Sequence, residues 1–425
     1  MTLFEHLQSR NLVHNHTPHI QDYLIQAKQS GKTPAVYAGF DPSGASLQIG
    51  NLMAVLLLRR AQMFGVKPLV LLGGATGLIG DPSGKKAERT LLDSGKAEEN
   101  LEKIKKQLSH FIDFSPGQYS GQFVNNYDWF KEMNFVHFLR DVGKHITINY
   151  MIAKDSVKLR METGISYAEF GYMLMQGYDF LHLYEKYGCL IQIGGSDQWG
   201  NIVTGIELIR KKHGAEAHAI SSPLLTDSSG NKLGKTEAGA IYLDGSMTSP
   251  YQFYQFLLNT ADADIIKIAE CLTLANDDEL KSIKHELASS PDKRFAQKWV
   301  ARNLTNLVHG SHNTDAAEKA TAILFSKDPA ALDQMTKESL QILAQELPSS
   351  KQNSVSGLGI LDILVQTKIC ESKGEARRAL QGGSISINRQ KITDEKATMT
   401  DDLLNEKGFL LLALGKQKLH LITKV

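Results

Sequence analysis

An α/β fold built on a parallel sheet is the class this sequence predicts, on three observations. Residues 36–40, Val-Tyr-Ala-Gly-Phe, have strand composition, are broken by Asp41-Pro42-Ser43-Gly44, and lead into a long apolar helical run from Leu52. Pro68-Leu69-Val70-Leu71-Leu72-Gly73-Gly74 follows as a continuous apolar run ending in glycines, the pattern of a strand covered on both faces by crossover helices. Cys189-Leu190-Ile191-Gln192-Ile193-Gly194-Gly195 repeats that pattern further along. Strand, helix and strand at this spacing build a parallel sheet, and open sheets of this kind bind ligands at the carboxyl ends of their strands.

Composition bounds the function. A chain of 425 residues, 42% hydrophobic and 22% charged, can bury a full core and divide into two or three domains. Its formal net charge of +1 confines any nucleic-acid contact to local patches. Cys189, Cys271 and Cys370 show no paired spacing, so neither a disulfide framework nor a zinc site is expected. There is no basic-then-apolar leader and no charge-free apolar run of the roughly 18 residues that cross a bilayer. A soluble cytoplasmic chain with no membrane contact is therefore expected.

In chain order, residues 1–34 read as two helices. The helix from Leu52 leaves peptide N–H groups near Gln48 to Asn51 unpaired at its start, and such an end attracts phosphate. The glycine-rich stretch 75–86 fails as a Walker loop, because Ile79 stands where its first glycine belongs and Lys86 follows Lys85. What remains there is a loop at a strand's carboxyl end carrying Asp81, Lys85, Lys86 and Arg89. Residues 86–113 read as a charged amphipathic helix, and 123–129 as a strand followed by a turn. The apolar helical pattern of 133–151 suits a core helix or a subunit interface. On a helix, Tyr172, Gln176 and Asp179 share one face at i, i+4 and i+7; a carboxylate buried there needs a partner, and otherwise the stripe faces water. Ser196-Asp197-Gln198-Trp199-Gly200-Asn201 again puts polar groups at a strand's end. After the strand-like 223–226, Lys232 and Lys235 flank Gly234, which suits a surface turn or a mobile loop that closes on a polyphosphate.

Beyond Met247 strand signals stop, and residues 250–345 carry helical periodicity, for example at Phe295, Trp299, Val300, Leu304 and Leu307. Residues 348–357 are polar and aperiodic, as in a linker. Two short helices (361–364 and 372–380), Gly382-Gly383, a strand at 384–387 and a hairpin over 409–425 complete the chain.

Residues 36–52, Thr76 to Arg89, Tyr172 to Asp179, Gly194 to Asn201 and Lys232 to Thr236 together closely resemble bacterial tyrosyl-tRNA synthetases, which are class I aminoacyl-tRNA synthetases. The resemblance runs over essentially the whole chain. It implies a Rossmann-like catalytic domain over 1–246, an α-helical anticodon-side domain over 247–345, a linker over 346–356 and an α+β S4-like RNA-binding domain over 357–425. It further implies L-tyrosine, ATP with Mg2+ on its phosphates, and tRNA(Tyr) as substrates, a homodimer, and no fixed protein metal site. By the same resemblance Tyr37 and Asp179 meet the phenol hydroxyl, Asp81, Tyr172 and Gln176 the ammonium group, and Thr76 and Gln192 line the pocket. Gly39, Asp41, Ser43, Gly50, Asp197, Gln198 and Lys235 correspond to ATP contacts. Lys85, Arg89, Lys232, Lys235 and Thr236 correspond to groups that stabilise departing pyrophosphate, and Lys373, Arg377 and Arg378 to RNA contacts.

One position departs from the family pattern. The family's His-Ile-Gly-His signature is Gln48-Ile49-Gly50-Asn51 in this chain. A phosphate contact needs an N–H donor from imidazole, and each side-chain amide offers an NH2 group instead. Two readings follow: a tyrosine–tRNA ligase whose amides serve as the catalytic donors, or a tyrosine-binding paralogue with weak or no aminoacylation.

Overall fold

The computed structural model describes residues 1–83, 92–162, 164–236, 239–326, 329–332, 336–405, 408–415 and 418–424. The first of two compact units comprises Met1–Thr248 and Ala261–Ala296. Its sheet contains β1 (Asn15–His16), β2 (Ala35–Phe40), β3 (Lys67–Leu72), β4 (Gln122–Asn125), β5 (Ile191–Gly195) and β6 (His218–Ser222), in the order β1-β6-β5-β2-β3-β4. β1 is antiparallel to β6 and every other pairing is parallel. The chain steps outward from β2 through β3 to β4 and then returns to the other side of β2 with β5. That reversal opens a crevice at the carboxyl ends of β2 and β5, which is where such sheets take ligands.

Alternation along the strands sorts the core. Ala35, Tyr37, Leu69, Leu71 and Val124 share one face and pack against Phe180, Leu181 and Leu183 of the helix Tyr167–Tyr187 and against Ile209. The crossover from β2 to β3 is the helix Ile49–Met63, which buries Leu52, Val55, Leu56, Leu57 and Leu58. Its last turn carries Arg60, which is buried and donates to the backbone carbonyls of Glu270, Cys271 and Thr273. A buried guanidinium requires such acceptors. This anchorage explains why the helices Asp262–Leu272 and Asp277–Ser289 group with the sheet, beyond the boundary expected at residue 246. A hairpin of β7 (Lys235–Thr236) and β8 (Gly239–Ala240) completes the strands of this unit.

Three elements differ from expectation. The helix expected over 86–113 is described over Ser94–Phe111, and its first part lies outside the described residues. The apolar stretch 133–151 is divided into Phe135–Asp141, a 3-10 turn Gly143–His145 and Ile148–Ile152, the last restarted by Thr147 as its N-cap. The strand expected near 223–226 is β6, a few residues earlier; it is wholly buried yet contains His218, Ser221 and Ser222.

The second unit, Ser249–Thr260 with Gln297–Val425, opens with the helix Pro250–Leu258, continues through Ser311–Phe325 and Lys337–Glu346, and ends in a second sheet. That sheet comprises β9 (Ser349–Gln352), β10 (Ile385–Ile387), β11 (Gln390–Lys391), β12 (Phe409–Leu414) and β13 (Lys418–Lys424), in the order β11-β10-β12-β13-β9. With the helices Ile360–Gln366 and Lys373–Gln381 it encloses Val355, Ile363, Leu380, Leu410, Leu412 and Ile422. The expected linker 346–356 thus contains β9, an edge strand that pairs parallel with β13. Its Ser-Ser-Lys-Gln sequence offers no apolar alternation, so backbone pairing rather than a buried face defines it.

Candidate active site

The pocket begins on β2. Tyr37 is 1% exposed, its ring stacks edge-on to Phe180 with centroids 5.2 Å apart, and its hydroxyl has no hydrogen-bond partner. Gln192, its register partner on β5, is equally buried and leaves Oε1 unpartnered. Buried polar atoms are nearly always paired, so two orphans on one sheet face mark a place for a polar ligand. Asp179, 1% exposed on the helix Tyr167–Tyr187, faces the same space. Burial raises its carboxyl well above the ordinary range, opposed by N–H donation from Asn126 Nδ2 at 3.1 Å and Trp129 Nε1 at 3.0 Å. Burial also raises the Tyr37 hydroxyl, and the nearby Asp179 charge adds to that rise.

Two strings of hydrogen bonds run from this slot along the strand ends. In the first, Tyr172 donates to Asp41 Oδ2 at 2.8 Å, Thr76 to Asp41 Oδ1 at 2.7 Å, and Asn126 to Thr76 at 2.9 Å. In the second, the Ser83 N–H and Gln198 Nε2 donate to Asp81 at 2.9 and 2.6 Å, while Asn201 Nδ2 donates to Gln176 Oε1 at 2.9 Å. Asp41 therefore sits beside Tyr172 and Thr76, and Asp81 beside Gln198, so groups expected on separate substrates share one network. Burial, then Asp41 and Asp81, raise the Tyr172 hydroxyl well above its usual value. Two carboxylates this close to a buried phenol favour a cationic ligand group. Gly73 is needed beneath them, because a Cβ there would overlap Asp41 Oδ1 and Thr76 Oγ1.

Gly39, although in a central strand, is exposed, which leaves the carboxyl end of β2 open to solvent. Ser43, Gly50 and Asn51 are exposed beside it. Asn51 Oδ1 accepts the Gln48 backbone N–H at 2.9 Å, capping the helix Ile49–Met63. That acceptor role leaves the Asn51 NH2 group free to donate outward. The lysine loop lies against this helix start: Ile49 N–H donates to Ile241 O and Ile241 N–H to Gly234 O, both at 2.9 Å. Gly234 has φ +82°, and a Cβ there would overlap Ile49 Cγ2. Lys232 and Lys235 are exposed, and the charge of Lys232 pulls down an Asp197 carboxyl that burial raises. The loop thus stands over the carboxyl end of β5. Thr236 contributes backbone to β7, while Lys85 and Arg89 lie outside the described residues.

On the second unit, Lys373 pairs with Asp362, Arg377 with Glu395, and Arg378 is exposed on the same helix. Sequence reasoning missed Asn126, Trp129 and Asn201 as site residues. Asn126 and Trp129 follow β4, so their place at a strand's carboxyl end was the available signal. Asn126 also accepts the Ala75 N–H at 2.7 Å, so Asn126→Ala leaves several buried groups unpaired and is expected to cost about 1–3 kcal/mol of stability. Urea denaturation measures this, and an unchanged midpoint would contradict the network.

Comparison with known proteins identifies the family. A model described as tRNA synthetases class I (W and Y) matches residues 28–326, and one described as the tyrosine–tRNA ligase SYY-like C-terminal domain matches residues 339–422. The chain is 44% identical over 423 residues to tyrosine–tRNA ligase 1 of Bacillus subtilis, and 44% identical over 432 residues to the tyrosine–tRNA ligase of Porphyromonas gingivalis. Each match covers 99% of both chains. Among solved structures, the C-terminally truncated mitochondrial tyrosyl-tRNA synthetase of Aspergillus nidulans matches with TM-score 0.68 and 30% identity, over 76% of this chain and 94% of that one. With a parallel sheet, buried unpartnered polar groups at its switch point and likeness along its whole length, the chain belongs to the tyrosine–tRNA ligase family of class I tRNA synthetases.

Proposed function

We propose that this chain activates L-tyrosine with ATP, releasing pyrophosphate, and then transfers the tyrosyl group to the 3′ end of tRNA(Tyr). The observation that carries this is the buried slot in which an unpartnered phenol hydroxyl, Tyr37, and a carboxylate, Asp179, stand together at the sheet's switch point. The substrate phenol donates to Asp179 and accepts from Tyr37. Its ammonium group lies among Asp81, Tyr172 and Gln176, with Thr76 and Gln192 lining the slot. ATP enters over Gly39 and Gly50, with Asp41, Ser43, Asp197 and Gln198 as further contacts.

A tyrosine carboxylate oxygen then attacks the α-phosphorus of ATP; the new P–O bond forms as the bond to the β-phosphate oxygen breaks, and that electron pair leaves with pyrophosphate. In the second step the terminal ribose hydroxyl attacks the adenylate carbonyl, AMP departs, and the hydroxyl proton is given up. Neither step needs a covalent enzyme nucleophile. The protein's part is to position the reactants and to neutralise charge on the leaving phosphates, a role we assign to Gln48, Asn51, Lys232 and Lys235 and, by family resemblance, to Lys85, Arg89 and Thr236. Mg2+ arrives with the ATP phosphates, and among the described residues no cluster of three or more His, Cys, Asp or Glu is placed to hold a metal.

We also propose a cytoplasmic homodimer. Phe135, Val136, Ile148 and Tyr167 are 62%, 69%, 63% and 69% exposed, and an apolar group of this size on one stretch of chain suits a partner surface. Among the described residues no helix is long and apolar enough to cross a membrane. tRNA phosphates are met by Lys373, Arg377 and Arg378, the first two exchanging surface carboxylate partners, each worth about 0–1 kcal/mol, for phosphate. Because β9 belongs to the terminal sheet, the informative truncation ends at Leu347. It is expected to leave tyrosyl-adenylate formation largely intact while weakening tRNA binding and its salt dependence. Filter binding across a salt series, beside single-turnover activation, tests this; equal losses in both assays would contradict it. Charging of tRNA with radiolabelled tyrosine by the full chain tests the function itself.

A further inference from the structure

The helix Asp262–Leu272 is tied at two places to the ATP side of the site. At its carboxyl end, Arg60 donates to the carbonyls of Cys271, Glu270 and Thr273 at 3.2, 3.2 and 2.6 Å, joining it to the helix that begins at the Gln48–Asn51 signature. From its first turn and its middle, two side chains one turn apart, Asp264 and Lys267, hold the base of the lysine loop. Lys267 Nζ donates to Thr226 O at 3.0 Å and to Thr226 Oγ1 at 3.3 Å, and Ser228 Oγ donates to Asp264 Oδ2 at 3.1 Å. Thr226 is the antiparallel bridge partner of Lys232, and Leu233 N–H donates to Leu225 O at 2.9 Å. The loop then returns to the signature helix where Gly234 lies against Ile49. Signature helix, Arg60, the helix Asp262–Leu272, Lys267, Thr226 and the lysine loop therefore form a closed ring.

We propose that Lys267 is a positioning residue for the lysine loop: its ammonium group holds the Thr226 carbonyl so that Lys232 and Lys235 return to one place over the Gln48–Asn51 end each time ATP is engaged. The inference rests on the ATP-dependent activation proposed above. Its chemistry is that of a brace, because two of the three ammonium hydrogens are spent on a backbone carbonyl and a hydroxyl at the base of the loop. Asp264 supplies a second, independent tie through Ser228. A loop that must open for ATP and close on its phosphates gains from a fixed base, since only the part beyond Thr226 then has to move. The partial exposure of Lys267 makes it suitable for substitution without opening the core.

The test compares the full-length parent with Lys267→Met, which keeps the alkyl stem, Lys267→Arg, which keeps donors, and Ser228→Ala, which breaks the second tie. Lys267→Met is expected to slow single-turnover adenylate formation at saturating ATP by about 100-fold, the scale of a misplacement of about 1 Å remote from the chemistry. Tyrosine affinity should be unchanged, Lys267→Arg should recover most of the rate, and Ser228→Ala should show a smaller loss of the same kind. Tryptic cleavage after Lys232 and Lys235 should be about tenfold faster in Lys267→Met, since proteolysis follows the population of the open loop. A parent-like rate with parent-like cleavage overturns the proposal, and so does a loss of tyrosine affinity in step with the loss of rate. If the parent forms no adenylate, the proposed function fails, and cleavage alone decides the brace: faster cutting in Lys267→Met supports it and unchanged cutting overturns it.

Discussion

Asp179→Ala is expected to weaken tyrosine binding by about 2–5 kcal/mol, or roughly 30- to 5,000-fold in Kd. The carboxylate is 1% exposed, so nothing but a ligand or a protein donor can satisfy it, and two protein donors, Asn126 and Trp129, already orient it. Removing it strips the substrate phenol of its acceptor and leaves the buried Asn126 N–H and the partly buried Trp129 N–H without this partner. Asp179→Asn separates the two effects. It keeps the volume and one acceptor oxygen, yet it removes the charge and sets an NH2 group where one oxygen had accepted from Asn126 or Trp129, so affinity should fall with a smaller loss of stability than in Asp179→Ala. The same geometry disfavours phenylalanine, which cannot donate to the carboxylate. Titration calorimetry with tyrosine measures the change, and parent-like affinity in Asp179→Ala would remove this residue from the pocket.

The second large effect concerns the altered signature. Gln48→Ala and Asn51→Ala are each expected to slow adenylate formation by about 10- to 1,000-fold, the scale for one donor to developing charge. Tyrosine affinity should barely change, because these contacts form chiefly as pyrophosphate departs. Asn51 requires a control, since its Oδ1 also caps the helix Ile49–Met63 through the Gln48 N–H. Asn51→Asp retains that cap and puts a favourable negative charge at a helix N-terminus, so stability should be kept or improved. It also replaces the outward NH2 group with an anion facing phosphate. A stable but slow Asn51→Asp enzyme is therefore the expected outcome of single-turnover kinetics beside thermal unfolding. A stable enzyme of parent rate would show that the amide takes no part in catalysis.

The legible parts of this molecule are those whose physics is local. β2, β3 and β5 were visible because strands covered on both faces read as unbroken apolar runs. β6 was misplaced because two of its buried positions are serines, and these are satisfied by groups far along the chain: Ser221 Oγ accepts the Asn15 N–H, and Ser222 Oγ donates to Gly194 O. β9 was hidden because an edge strand of Ser-Ser-Lys-Gln is defined by its partner's backbone. The return of residues 261–296 to the sheet unit was hidden for a similar reason, since the anchor at Arg60 joins residues more than 200 positions apart. Within the site, Tyr37 and Asp179 were assigned through the family resemblance, and the signature segment through its place at a helix start. Asn126 and Trp129 did not, because what makes them part of it is contact with Asp179 from another strand's end.

Tyrosine-dependent ATP–pyrophosphate exchange on the purified chain reads the reversible first step of activation and needs no tRNA. Rapid exchange that requires tyrosine, is not supported by phenylalanine, and falls in Gln48→Ala and Asn51→Ala is the result this account predicts. A protein that binds tyrosine through Asp179 yet shows no exchange, and gains it when Gln48 and Asn51 are both changed to histidine, would contradict it.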